Sequence, residues 1–453
     1  MKKTGSFREF AQYSLLNILG MLGLSCYILA DTFFVSQGLG ADGLTALNLA
    51  IPIYSFLHGS GLMIGVGGGI RYSICRGQGD QASACRAFSG VLWLAAGFAA
   101  VFVLLGAFFS SGIAVMVGAS GEVYEMSKTY LQMILLFSPA FLLNNVLLCF
   151  VRNDGAPRRA MAAMLTGSFS NIVLDYLFLF PCRMGMFGAA LATGLAPIVS
   201  MMVLLPFFIK KRNGFHVTAC RSAGRLLRGI LSAGLPSLIA EASSGVVMIA
   251  FNTRILQLEG NVGVAAYGII ANLSLVVLSI YTGFAQGIQP IVSRSTGAGN
   301  ASGARAVLRY ALLAMLVVSA LIYAGVFFKA PWIAGVFHDG HNERLQQIAV
   351  AGLRLYFIAC PFVGWNIVLS MYFTAAGYTR PAHVLSILRG FVVILPTVFL
   401  LSCLWGMTGI WGSFPAAELL TGIAGLGFYL CFENARRQDA LRQLQLSSDC
   451  RRK

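Results

Sequence analysis

The chain has 453 residues, 57% hydrophobic and only 11% charged, with a mean hydropathy of +0.77. Soluble domains carry about 25% charged residues, so a water-soluble globular protein is excluded and a polytopic membrane protein is expected. The net charge of +16 would suit nucleic acid if it lay on one face, but numbering the connections alternately puts 26 of the 32 Lys and Arg on the side of both termini and six on the other. That asymmetry is topological. It predicts a multi-pass protein of the cytoplasmic (inner) membrane with both ends in the cytoplasm, in contact with lipid and not with nucleic acid.

Twelve windows are long enough to span, ~17–25 residues. They fall near 13–36, 45–70, 87–110, 130–150, 160–180, 186–209, 230–257, 263–290, 306–328, 351–374, 383–403 and 407–432. The first follows the short basic stretch Met1-Lys-Lys, lacks a clear small-residue cleavage site and is too long for a signal-peptide core, so it is kept as a membrane segment. It has no proline between Ser14 and Ser36, which leaves Gly20 and Gly23 as its sources of flexibility. Asp31 lies about five residues from its outer end.

The second window ends in Gly65-Val-Gly-Gly-Gly69, followed by Arg76-Gly-Gln-Gly-Asp80 in a connection. That run lacks the Gly-Lys-Ser/Thr ending of a phosphate loop, and reads as a turn with close helix packing. The fifth window holds Asn171-Ile-Val-Leu-Asp175; four apart on a helix, Asn171 and Asp175 share one face. Thr193 lies about seven residues into the sixth window. At 1.5 Å per residue Asp31, Asp175 and Thr193 all fall ~8–11 Å below one membrane face. A carboxylate at that depth costs roughly 2.5–3.5 kcal/mol on insertion scales, which makes an intramembrane acid a functional candidate.

The basic segment 210–228 separates the sixth and seventh windows. Glu241 lies ~16 Å into the seventh, and Glu418 sits in the twelfth as a weaker candidate. His58, His338, His341 and His383 show no metal-ligand spacing, and the ten cysteines form no CxxC pair, with Cys182 and Cys403 on the outer side and no sign of a bridge.

Sliding the chain against itself by 220 residues aligns 43–87 with 263–307 without a gap: Gly43, Gly67, Gly77 and Gly79 meet Gly263, Gly287, Gly297 and Gly299, and Asp80 meets Asn300. A shift of 222 pairs Pro139, Asn144, Gly155 and Arg158 with Pro361, Asn366, Gly377 and Arg380. Six is an even number, so both halves enter from the same side as parallel repeats, related by an axis along the membrane normal, with the main cavity between them. The expected fold is therefore all-α, with twelve transmembrane helices in two pseudo-symmetric six-helix bundles: an amino-terminal lobe over 1–209, a basic cytoplasmic linker over 210–229, a carboxyl-terminal lobe over 230–432 and a cytoplasmic tail over 433–453.

Ala30-Asp-Thr-Phe-Phe-Val-Ser36, Leu44-Thr-Ala-Leu-Asn48, Arg152-Asn-Asp-Gly-Ala-Pro157 and Gly188-Ala-Ala-Leu-Ala-Thr193 resemble the multidrug and toxic compound extrusion (MATE) transporters over nearly the whole chain. The resemblance implies a V-shaped pair of bundles that exports organic cations in exchange for protons or sodium. It is closer to the DinF-type than to the NorM-type branch, because the ion motif of the former matches Asp31, Asn171, Asp175 and Thr193, whereas the acid that the latter places on helix 10 falls at Trp365. The same four residues would hold Na⁺ in a sodium-coupled protein. NorM-type members also have a glutamate about three positions after Glu241, near Ser244, which keeps the same helix face.

Two carboxyls in one poorly solvated cavity repel each other, so either one holds a proton or both ionise around Na⁺, with Asn171 and Thr193 offering neutral oxygens. Glu241 would attract a cationic substrate. No cofactor beyond the coupling H⁺ or Na⁺ is expected, and the protein is expected to act as a monomer on small organic cations. Two other functions compete. A lipid-linked precursor flippase of the wider superfamily would favour a large, positively lined cavity. An intramembrane aspartyl protease would use the GxGD pattern Gly77-Gln-Gly-Asp80 with Asp31; the repeat opposes it, since Asp80 falls in a connection with Asn300 as its mate.

Overall fold

The structure is a computed structural model that describes residues 7–218, 223–336 and 343–450. His338 and His341 lie outside the described residues. Among those residues all secondary structure is helical, and nine stretches can cross a membrane if Glu122–Leu136 and Ser138–Asn153, bent by 49° to each other, are taken as one. Three of the stretches are too long to cross once. Phe7–Gly77 has 71 residues, which at 1.5 Å per residue is ~105 Å against a hydrocarbon core of ~30 Å. Each long stretch is interrupted by one glycine in the left-handed region: Gly40 (φ 68°), Gly260 (φ 62°) and Gly406 (φ 56°).

The chain folds back at each of these glycines. Tyr27 and Tyr54 meet across Gly40 with their hydroxyls 3.0 Å apart, and Phe251 stacks on Tyr267 across Gly260 at 5.3 Å. A Cβ added to Gly409 would fall 1.9 Å from the Leu401 carbonyl across Gly406. Divided there, the helices are α1 (7–39), α2 (41–77), α3 (Gln81–Met116), α4 (122–153), α5 (Pro157–Leu179), α6 (Gly185–Ile209), α7 (223–259), α8 (261–297), α9 (Ala301–Val336), α10 (343–375), α11 (379–405) and α12 (407–450). Three irregularities are absent from the hydropathy pattern. α4 breaks at Phe137 just ahead of Pro139, α10 carries a 3₁₀ turn at Phe357–Ala359, and α11 a π-helical turn at Leu388–Val392. α12 continues as helix to Cys450, through the expected tail.

The two halves repeat down to their turns. Gly79 and Gly299 share positive φ (81° and 70°), as do Gly155 and Gly377 (94° and 84°). Asp80 Oδ1 accepts from the Ser83 amide at 2.9 Å, and Asn300 Oδ1 from the Gly303 amide at 2.9 Å, so both lobes cap the next helix with the same turn. Hydrogen bonds from Ser83 hold the Asp80 carboxyl below the usual carboxylate range.

The lobes meet in a seam that obeys the same symmetry. A Cβ on Gly77 would lie 2.4 Å from the Arg294 carbonyl, and one on Gly297 2.1 Å from the Ile74 carbonyl; Gly67 approaches the Gly234 amide as Gly287 approaches that of Ser14, both at 2.9 Å. Equivalent helix ends meet at one end of the bundle, so the pseudo-two-fold axis runs along the helices, as parallel repeats require. The seam is tightest on the side of the termini. A Cβ on Gly234 would sit 1.8 Å from the Met63 carbonyl, whereas one on Gly245, farther along α7, would sit 3.8 Å from Pro52.

Each lobe has its own apolar core, one built on residues such as Leu57, Ile64, Leu142 and Phe150 and the other on Ile270, Val292, Leu353 and Phe373. Phe10 and Tyr13 at the start of α1 belong to the second of these, so the first helix bridges the halves. The connection after α6 is anchored too. Phe215 is buried among Tyr72, Phe88, Phe150 and Phe208, and the Gly214 amide donates to Asp154 Oδ2 at 2.7 Å.

Because Gly234 faces backbone and not a yielding side chain, Gly234→Ala should force the seam apart and remove about 1–3 kcal/mol of stability. Thermal unfolding in detergent should show a lower Tm for it than for Gly268→Ala, where a Cβ meets nothing within 4 Å. Equal melting of the two variants would contradict this seam.

Candidate functional site

Glycine sets the register of the site. α1 runs parallel to α5, with Gly20 against Met164, Gly23 against Leu165 and Ser168, and Gly38 against Leu179. A Cβ on Gly20 would lie 2.9 Å from the Met164 sulfur, and one on Gly23 2.7 Å from Leu165 Cδ2. These two glycines therefore serve close packing in this structure, where flexibility was expected of them. The register brings Asp31 level with Asp175. α6 returns antiparallel to α5, with Gly167 against Ser200 and Gly188 against Phe178, which sets Thr193 opposite Asn171.

All four residues are buried, Asn171 and Asp175 completely. With its nitrogen turned toward Asp175, the Asn171 amide donates to Asp175 Oδ2 at 3.0 Å and accepts from the Thr193 backbone amide at 3.3 Å; the opposite assignment would set oxygen against oxygen and N–H against N–H. The Thr193 hydroxyl donates to the Ala189 carbonyl at 3.0 Å. Asp31 Oδ1 and Asp175 Oδ1 are left buried without a hydrogen-bond partner, and the two carboxylates lie within electrostatic reach of each other. An unpaired buried acceptor costs about 1–3 kcal/mol, a cost that each of these two oxygens carries.

Three tyrosines surround the pair, and the sequence reading passed over them. Tyr130 of α4 faces Thr193 and both carboxylates, and Tyr27 and Tyr54 lie within reach of Asp31. Tyr27 stands four residues before Asp31 on the same helix face, a spacing visible in the sequence; Tyr130 and Tyr54 come from other helices. A cavity of about 80 Å³ with a mixed apolar and polar lining extends through the lobe, from Tyr27, Tyr54 and Thr193 to Cys149, Arg152 and Gln286. His58 lines it, stacked on Tyr54 and 3.4 Å from Asn145 Nδ2.

Glu241 stands apart from the quartet. It is half-buried on α7, where Gly59 of α2 makes room for its Cβ, and its charge reaches Tyr54. Glu418 is held inside the second lobe: Arg389 Nε donates to its Oε1 at 2.6 Å and Asn366 Nδ2 to its Oε2 at 2.7 Å. The ion pair neutralises it, and Trp365 packs into the core nearby. Asp80 is an exposed helix cap at the end of α2 while Asp31 is buried in α1, so the two never form a protease dyad. His383 bonds the Ser232 carbonyl at 2.6 Å, joining α11 to α7 within the second half.

Two alike helical bundles meeting in a seam, with a charged site buried in one of them, define a multi-pass membrane transporter and not an enzyme. The family model described as MatE matches residues 17–177 and 236–400, once in each half. The chain belongs to the MatE family. The multidrug export protein MepA of Staphylococcus saprophyticus is 25% identical over 427 residues, which cover 94% of each protein, and MepA of Staphylococcus aureus strain MRSA252 matches to the same extent. Among solved structures, a MATE transporter in complex with MaL6 superposes with a TM-score of 0.90 at 23% identity, covering 95% of this chain and 97% of that one. An outward-facing MATE family transporter superposes at 0.88 and 24% identity, covering 94% and 96%.

Asn171→Leu keeps the volume but strips Asp175 Oδ2 and the Thr193 amide of their common partner. It should lower stability by about 1–3 kcal/mol, read as a fall in Tm of the purified protein. An unchanged Tm would show that the amide does not bridge α5 and α6.

Proposed function

We propose that the protein is a secondary antiporter that exports small organic cations across the cytoplasmic membrane, driven by cation entry at the Asp31–Asp175 pair. The observation that carries the reading is the pair itself, two buried carboxylates within electrostatic reach of each other, each with one oxygen that has no hydrogen-bond partner. Relatives named multidrug export proteins support the substrate class, and the distribution of Lys and Arg supports cytoplasmic termini. With that orientation the tight side of the seam is cytoplasmic, and the carboxylates lie nearer the outer face.

The residues favour a proton over sodium. Sodium needs several oxygens converging on one point, and the Asn171 oxygen already accepts from the Thr193 amide, which leaves the Thr193 hydroxyl, its proton given to Ala189, as the one neutral side-chain oxygen of the quartet still uncommitted. A proton needs only one of the two free carboxylate oxygens. It enters from outside, relieves the repulsion between Asp31 and Asp175, and lets α1 close on α5. Glu241 and Tyr54 hold the positive charge of the substrate until then, so proton and substrate favour opposite states of the lobes. A flippase would need a broad cationic surface, whereas the lobe cavity holds one guanidinium at its closed end. The protein works as a monomer, since each chain contains the whole site.

Transport into proteoliposomes with proton and sodium gradients imposed separately tests this. Asp175→Asn should abolish gradient-driven export while the protein still inserts; full export by that variant would place coupling elsewhere. Thr193→Val should leave proton-driven export within about twelvefold of the parent, the effect of a hydrogen bond of about 0.5–1.5 kcal/mol. A sodium requirement that this variant weakens would replace the proton with Na⁺. Glu241→Gln should slow export of cations more than of neutral compounds, and equal loss for both would remove Glu241 from substrate binding.

A further inference from the structure

Arg152 is the one group in the lobe cavity whose charge the antiport reading does not use. It stands in the last turn of α4 and is 2% exposed. Its Nη1 donates to Asn17 Oδ1 at 2.9 Å and to Gln286 Oε1 at 2.6 Å, its Nη2 lies 3.4 Å from Cys149 Sγ, and its Nε has no partner. Every one of these neighbours is neutral. Other arginines of the helix bundle pair with acids, Arg76 with Asp154, Arg294 with Glu9 and Arg389 with Glu418; among the described residues no carboxylate pairs with Arg152. An unneutralised buried guanidinium is expensive, and the helix C-terminus and three neutral contacts offset only part of that. A charge kept under such conditions points to a job.

Its position names the job. The cavity is lined by Thr193 and by Ser200 on α6, seven residues or ~10 Å nearer the termini, and it ends at Arg152 and Gln286. Asn144 Oδ1, Ser200 Oγ and Arg152 Nε line it without partners, so it is polar enough, and at about 80 Å³ large enough, to hold several water molecules. The cavity starts at Thr193, whose amide bonds the Asn171 that holds Asp175, so a wet path from there toward the termini would be a leak for protons and small cations. We propose that Arg152 is the electrostatic barrier that closes this path. A fixed positive charge at the end of a cavity cut off from bulk solvent by apolar walls repels a cation before it can pass, as guanidinium groups do in water-selective pores.

The barrier is also tied to the state of the lobes. Asn17 and Arg152 belong to the first half and Gln286 to the second, and beside them Asn153 and Gln289 exchange two amide hydrogen bonds of 3.0 Å across the seam. The guanidinium is fenced only while the cytoplasmic side is shut. When the lobes part there Gln286 leaves, the guanidinium turns to solvent, and the ion at Asp31 and Asp175 gains its exit. The inference deepens the antiport reading and rests on it for the route of the ion, but its test needs no substrate.

Protein reconstituted in liposomes, without drug, is given a proton gradient and then a sodium gradient, and the internal pH and sodium are followed by dyes. The wild-type chain should stay tight. Arg152→Gln should leak at least tenfold faster, Arg152→Lys should stay close to wild type because it keeps the charge, and Arg152→Gln combined with Asp175→Asn should lose most of the leak. Gln286→Glu, which neutralises the guanidinium without removing it, should leak as well and serves if Arg152→Gln does not fold. Tight vesicles with both Arg152→Gln and Gln286→Glu, an equal leak through Arg152→Lys, or a leak indifferent to Asp175→Asn would each overturn the barrier. Failure of gradient-driven export in the wild type would sink the antiport reading separately.

Discussion

Inside a bilayer there is no water to complete an unsatisfied polar group, and this constraint orders the whole molecule. The helices bury their backbone bonds within themselves, hydroxyls such as those of Ser60, Thr193 and Thr421 turn onto carbonyls of their own helix, and Asn153 pairs with Gln289. Asp31 and Asp175 are the exception that matters. Asn171 and Thr193 hold Asp175 at one oxygen and leave the other free beside Asp31. Other buried polar atoms also lack partners, but these two belong to neighbouring carboxyl groups, and the repulsion of two adjacent carboxylates is one that a single cation can relieve.

The repeat explains why only one lobe carries it. Both halves have the same turns, caps and glycine contacts, so the scaffold offers an equivalent place in each. In the second lobe the polar centre is Glu418 bracketed by Arg389 and Asn366, a group whose charge is already balanced. The π-helical turn at Leu388–Val392 contains Arg389 and changes which side chains of α11 face α12 there. One scaffold thus holds an unbalanced centre in the first lobe and a balanced one in the second.

Much of this was legible in the amino-acid order. Hydropathy located the spans, because burial in lipid demands long apolar runs, and the internal repeat anticipated the paired glycines of the seam, since only glycine lets two backbones approach so closely. Asn171 and Asp175 declared themselves by sharing a helix face at a depth where acids are rare. What escaped was non-local. Tyr130 joins the site from a different helix, and Arg152 meets Gln286 across more than a hundred residues, contacts that no periodicity encodes. The close contacts of Gly20 and Gly23 with α5 are not visible in the sequence, because glycine spacing alone does not distinguish freedom from close packing. The break at Phe137 and the π-turn went unseen because hydropathy averages over such local changes of pitch.

Competition between the proton and the substrate for opposite states of the lobes is the central claim, and linkage makes it measurable without transport. A permanently charged quaternary ammonium compound is added to the purified protein in weakly buffered detergent solution, with a pH indicator present and binding followed in parallel. The account predicts release of about one proton for each molecule bound, and no release from the Asp31→Asn protein. Tight binding without any proton released would contradict it.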